Sequence, residues 1–141
     1  MGVFGCCDSS NKLLDSSEFY DENKDMWTMS TPMIQRRSRH SAVAFRSNIY
    51  LSGCTEDQVK IITAVIFDTV TQQFTRIRSM RFSCCCFGAT ISYEKIYCFG
   101  GYKNDIRDAV DSFNMVTREW KRETTLSQKL FGIAAVTAYE A

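Results

Sequence analysis

Three arginines fall within four positions, Arg36, Arg37 and Arg39, beside the chain's single histidine, His40. Arginine carries a permanent charge and a planar fork of donors that grips carboxylates through paired hydrogen bonds. The trio is a candidate anion-holding group, and a solvated loop is the competing reading. A looser group follows at Arg76, Arg78 and Arg81. The second cluster is a run of three thiols, Cys84, Cys85 and Cys86. A thiolate steadied by a nearby cation such as Arg81 would make it a redox or electrophile sensor. Apolar filling of a strand by small residues is the alternative. Adjacent strand residues face opposite ways, which would leave at least one of the three exposed.

Other chemistries find little to work with. The cysteines number seven and lie in adjacent runs, without the C-x-x-C spacing of zinc sites, and one histidine has no partner, so no metal is expected. No G-x-x-x-x-G-K-S/T loop occurs, Gly100-Gly101 opens no helical pattern, and no nucleophile motif accompanies His40. The expectation is a non-enzyme without cofactors. Seventeen Lys and Arg against 16 Asp and Glu leave a net charge of +1, which draws neither nucleic acid nor an anionic membrane. No apolar run is long enough to span a bilayer. Met1 to Cys7 lacks the basic and apolar regions of a secretory leader. With an odd cysteine count this points to free thiols in a reducing, cytoplasmic setting, with nucleus and cytoskeleton as variants of it.

The elements that must position these clusters are written in a repeat of 46 to 48 residues. Gly5-Cys6, Gly53-Cys54 and Gly100-Gly101 each follow a short apolar run. An aromatic comes next in phase, Tyr20, Phe67 and Phe113, each followed by Asp21, Asp68 or Asn114. A second aromatic follows at Trp27, Phe74 and Trp120, then a large apolar residue at Met33, Met80 and Leu126. Ser41–Phe45 and Ala89–Tyr93 are rich in strand formers, and short turns join them to the runs before the glycines. No long window shows a 3.6-residue period, so little helix is predicted.

Four short antiparallel strands per copy make one blade of a β-propeller, and blades must stack to bury their faces. The predicted fold is all-β, a partial propeller of about three blades in one domain over 1–141. Strands two to four of the first blade lie within 1–30, the second blade at about 40–78, the third at about 87–123, and a final strand one over 131–139. The phased aromatics with Met33, Met80 and Leu126 are predicted to fill the spaces between blades. The glycines are predicted to allow positive φ or close chain approach where strand two turns away. Cys6 and Cys54 at the second glycine position argue that a side chain is tolerated there.

The pattern Ser17-Glu18-Phe19-Tyr20-Asp21, Trp27, Pro32-Met33, Arg37-Ser38-Arg39-His40 and Ile49-Tyr50-Leu51-Ser52-Gly53 resembles the kelch repeat, most of all that of the kelch-like proteins. Those carry a BTB domain and serve as substrate receptors of cullin-RING ubiquitin ligases. The resemblance implies a protein-binding module, the substrate-recognition part of such an adaptor. Its partner face is then built from the loops joining strands two to three and four to one. Arginines of that face, here Arg36, Arg37, Arg39 and Arg81, would hold an acidic motif in a central pocket. Arg39 matches the pocket-facing position best, and Arg37 suits a structural role within the repeat. Other kelch proteins bind actin filaments, which makes a cytoskeletal scaffold the first alternative.

Kelch propellers of this family usually have six blades, and the last strand one completes the first blade. Phe131–Tyr139 has the phase to do so here. Three copies do not close a ring, which leaves three readings: a truncated and even non-functional piece of a longer protein, a homodimer of three blades each, or an open stack.

Overall fold

The phased aromatics are cross-strand partners. In the computed structural model, which describes residues 1–55, 63–78, 85–102 and 104–139, Tyr20 stands opposite Trp27, Phe67 opposite Phe74 and Phe113 opposite Trp120. Their ring centroids lie 5.5, 4.7 and 5.0 Å apart, where tilted aromatic pairs attract. The polar residue after the first aromatic builds the turn between the two strands. Oδ1 of Asp21, Asp68 and Asn114 each accepts two backbone N–H groups from the following residues, at 2.8 to 3.3 Å. Each turn ends on a residue with positive φ: Asp25 at 50°, Gln72 at 54° and Arg118 at 57°.

Eleven strands and no helix form among the described residues. The first sheet holds β1 (Gly2–Phe4), β2 (Ser17–Asp21) and β3 (Met26–Met29), in that order. The second holds β4 (Arg37–Phe45), β5 (Asn48–Thr55), β6 (Thr63–Asp68) and β7 (Gln73–Ile77). The third holds β8 (Gly88–Ser92), β9 (Lys95–Phe99), β10 (Arg107–Asn114) and β11 (Glu119–Leu130). All neighbours are antiparallel, so each sheet is a meander and the chain is an all-β partial propeller.

The core lies between blades. Phe4, Met33, Leu51, Val65 and Phe67 pack together, joined by the half-buried Phe19 and Phe74. Tyr50, Phe87, Ile96, Cys98 and Phe113 form a second cluster, with Ile66 and Trp120 against it. Each fully buried apolar side chain stabilises the stack by about 2 kcal/mol. Met33 fills the space expected of it. Leu126 instead lies half-buried on β11 and belongs to neither cluster, and Met80 lies outside the described residues. Trp27 is 42% exposed, because the outward face of the first sheet has no blade over it.

Two expectations are corrected. The run 131–139 is not a strand. A strand needs a ladder partner, and β1 pairs only with β2. The run lies instead on β8: the Gly132 N–H donates to the Cys86 carbonyl at 2.7 Å, and Ile133 and Ala135 sit over Gly88. The second correction concerns the glycine pair. Gly5 and Gly100 take φ of 59° and 61°, and a Cβ there would meet the Arg37 or Leu130 carbonyl oxygen at 2.5 or 2.3 Å. The next position is left-handed too, φ 97° at Gly101 and 85° at Cys6. The side chain of Cys6 is therefore carried at a cost in strain of about 1 kcal/mol or more.

Relieving that strain should show. Cys6→Gly is expected to raise stability by about 0.5–1 kcal/mol in urea unfolding, and Gly100→Ala to lower it by about 2 kcal/mol or more.

Candidate partner-binding face

Strand polarity sends the loops between strands two and three, and between strands four and one, to one end of the blades. The tight hairpins gather at the other end. The arginine trio sits on the loop end, and the fold separates its members. Arg37 opens β4 and has no exposed surface. Its Nη1 donates to the Gly53 and Thr63 carbonyls at 3.1 and 2.7 Å, and Nη2 to the Thr63 hydroxyl at 2.5 Å. The same hydroxyl donates to Gln35 Oε1 at 2.8 Å. Burial, with the positive charge of Arg76 behind it, pushes the Arg37 pKa down to about 10, so it stays charged at neutral pH. Arg37 is thus a tie between β4, β5 and β6, and its place among the partner-binding residues is corrected on that ground.

Arg39 is exposed, with φ of 53°. A regular strand would put Arg37 and Arg39 on the same face. The register slips between Arg37 and His40, and this bulge turns Arg39 outward. Its carbonyl accepts the Cys86 N–H at 3.1 Å, and the Cys86 carbonyl accepts the Gly132 N–H. These three left-handed residues occupy one repeat position, the entry to the innermost strand. Arg36 is half-buried, and Arg81 lies outside the described residues.

His40, next along β4, is held neutral. Burial, reinforced by the Arg37 charge, pushes its pKa down to about 4, against a weaker opposing effect of a hydrogen bond with the Phe4 backbone. Its buried Nδ1 has no hydrogen-bond partner among the described residues.

The thiols also divide. Cys86 is a half-buried free thiol, Cys98 is buried, and Cys6 and Cys7 are exposed. Cys85 carries a disulfide bond, so the expectation of free thiols fails there. Cys84 lies outside the described residues. The Cys7 thiol is pushed up, first by its hydrogen bond with Cys6, which is the reverse of what a reactive thiolate needs.

Two clefts open at the hairpin end, where sequence reading placed nothing. One of about 560 Å³ is lined by Phe45, Tyr93, Glu94, Lys95 and Tyr97 among others. The other, of about 400 Å³, lies between Phe19 and Met1 on one side and Ala44 and Arg46 on the other. Their walls come from different repeats, so no pattern within one copy announces them.

Fold and geometry together define a class, the β-propeller, of which this chain supplies three blades. Comparison with known proteins agrees. Residues 83–127 match the family model of the Kelch motif. The chain is 29% identical over 122 residues to Kelch-like protein 26 of Danio rerio, covering 82% of this chain and 20% of that protein. It is 26% identical to Kelch-like protein 23 of Homo sapiens, covering 89% and 23%. It is 27% identical to Alpha-scruin of Limulus polyphemus, covering 83% and 14%. The chain therefore spans between 14% and 23% of the length of these relatives. The solved structure of YjhT superposes with a TM-score of 0.74 at 13% identity, covering 89% of this chain and 49% of that one, a likeness of fold.

Two measurements check the buried pair on β4. Arg37→Met leaves two carbonyls without their charged donor and should cost about 3 kcal/mol of stability. His40 takes up a proton near its ordinary 6.5 when unfolded and near 4 when folded. Stability from the neutral imidazole is therefore full above pH 6.5 and is lost as pH falls towards 4, by about 3 kcal/mol in all. Urea midpoints at pH 7.5 and 4.5 should lie further apart in the native chain than in His40→Asn; equal separations would refute this assignment.

Proposed function

We propose that the chain is a protein-interaction module whose loop face, centred on Arg39, holds an acidic segment of a partner protein. The observation that carries this reading is the opposite fate of two neighbouring arginines. Arg37 is spent inside the blade, while the bulge delivers Arg39, exposed, to the entry of the innermost strand. The Arg39 guanidinium offers paired hydrogen bonds to a carboxylate. Similarity to Kelch-like proteins 26 and 23 supports a finer reading, the substrate-recognition part of a cullin-RING ubiquitin-ligase adaptor working in the cytoplasm. The similarity to Alpha-scruin favours a second reading, a cytoskeletal scaffold that binds actin.

Binding of fluorescent acidic peptides by anisotropy tests the first reading. Arg39→Ala should weaken binding about 10-fold or more, and Arg39→Lys less, since lysine keeps the charge but loses the fork. Unchanged affinity in Arg39→Ala would remove Arg39 from the site. Co-sedimentation with filamentous actin, unaffected by Arg39→Ala, would favour the scaffold.

A further inference from the structure

We infer that Cys6 and Cys7 form a two-sulfur site for a soft monovalent metal ion, copper(I), on the loop end of the blades. The starting point is a side chain held at a cost. Cys6 takes φ of 85° where the third copy has Gly101 at 97°. The Cys6 side chain is exposed and belongs to neither core cluster. A side chain that costs strain and adds no packing points to a use of its chemistry.

The backbone holds the pair in place. The Cys6 N–H donates to the Arg37 carbonyl at 2.8 Å, and the Cys6 carbonyl accepts the Leu14 N–H at 2.9 Å. Cys7 is bridged to Leu13. The first of these contacts comes from the second blade and the others from the first blade's own loop, so the pair lies on the seam between two blades. Both thiols are free and exposed, and they stand within hydrogen-bond reach of each other. Adjacent residues of a regular strand face opposite ways. The left-handed backbone at Cys6 breaks that alternation and brings the two sulfurs together.

The number and kind of donors select the ion. No group of three or more His, Cys, Asp or Glu able to hold a metal gathers among the described residues, so the four-donor zinc arrangement is not offered. Two sulfurs are soft donors and suit copper(I), an ion that two thiolates satisfy. Asp8 follows directly in the chain, but its Oδ1 accepts the N–H groups of Ser10 and Lys12 at 2.8 and 3.0 Å, and a carboxylate is a hard ligand. On binding, each thiol gives its proton to solvent and two S–Cu bonds form, with no electron transferred. One monovalent ion and two thiolates leave a single net negative charge. The positive charge of Arg39 reaches the Cys7 sulfur and balances what the site gains. The site does not depend on what the loop face binds.

Anaerobic titration of the full chain, as isolated, with copper(I) against a chromophoric copper(I) chelator tests this. One tightly held ion per chain is expected, with two sulfur ligands by X-ray absorption. Cys6→Gly, expected above to gain stability, should hold copper(I) no better than an isolated surface thiol, and so should Cys7→Ser. Cys86→Ser should bind as the native chain does. Arg39→Ala should keep the stoichiometry and bind about 10-fold more weakly at the same pH. Copper(I) should raise the Tm of the native chain and leave that of Cys6→Gly unchanged. Native affinity in Cys6→Gly or Cys7→Ser, loss of the ion in Cys86→Ser, or an absorption spectrum with three or more sulfurs would each overturn the site. Native affinity in Arg39→Ala would overturn the balancing role of that arginine.

Discussion

A four-stranded sheet that is apolar on both faces is stable only between two others, and everything else here depends on that. Leu51, Val65 and Phe67 are almost wholly enclosed because the first blade brings Phe4 and Phe19 against them. The rings meet edge to face or stacked, with centroids 5.3 to 5.7 Å apart for Phe4–Phe19, Phe4–Phe67 and Phe19–Phe67. Where no blade follows, the same residue types stand open, as at Val3 and Trp27. Burial in this molecule is a property of position in the stack rather than of residue type.

The polar interior answers to the same constraint. Arg37 is a buried charge that meets no carboxylate among the described residues, and it is tolerated because Nη1 and Nη2 donate to carbonyls of β5 and β6 and to the Thr63 hydroxyl. The third blade shows a different solution. Ser112 and Lys95 both meet Glu123, at 2.7 and 3.1 Å, and their hydrogen bonds hold the Glu123 carboxyl down to about 2. Its partners keep that carboxylate charged on the last blade, where the second blade carries Ile66 in the position of Ser112 and packs it inward.

The proposed partner face lies where this scaffold lets backbone strain collect. The left-handed residues Arg39, Cys86 and Gly132 stand at the entries to successive inner strands and are linked by backbone hydrogen bonds. That linkage sets the spacing at which loops, and any partner they hold, are presented on one face. The hairpin end has its own clefts, walled by neighbouring repeats.

The sequence by itself determined the repeat and the strand-rich character. Tyr20, Trp27, Phe113 and Trp120 were legible as aromatics in phase, whereas their pairing across each hairpin was shown by the strand register. The Asp21, Asp68 and Asn114 turns were legible as polar positions in phase, although their paired N–H contacts were not. The resemblance already set Arg37 apart as structural and Arg39 as outward, but only the tertiary structure gave the reason, a one-residue bulge that reverses the facing of everything after it and leaves no mark in composition. Only it decided that Phe131–Tyr139 lies on β8 rather than pairing with β1, since strandhood is conferred by a partner and not by the run itself. The strain at Cys6 belongs to the same group, since it depends on where the distant Arg37 carbonyl comes to rest, which spacing along the chain does not encode.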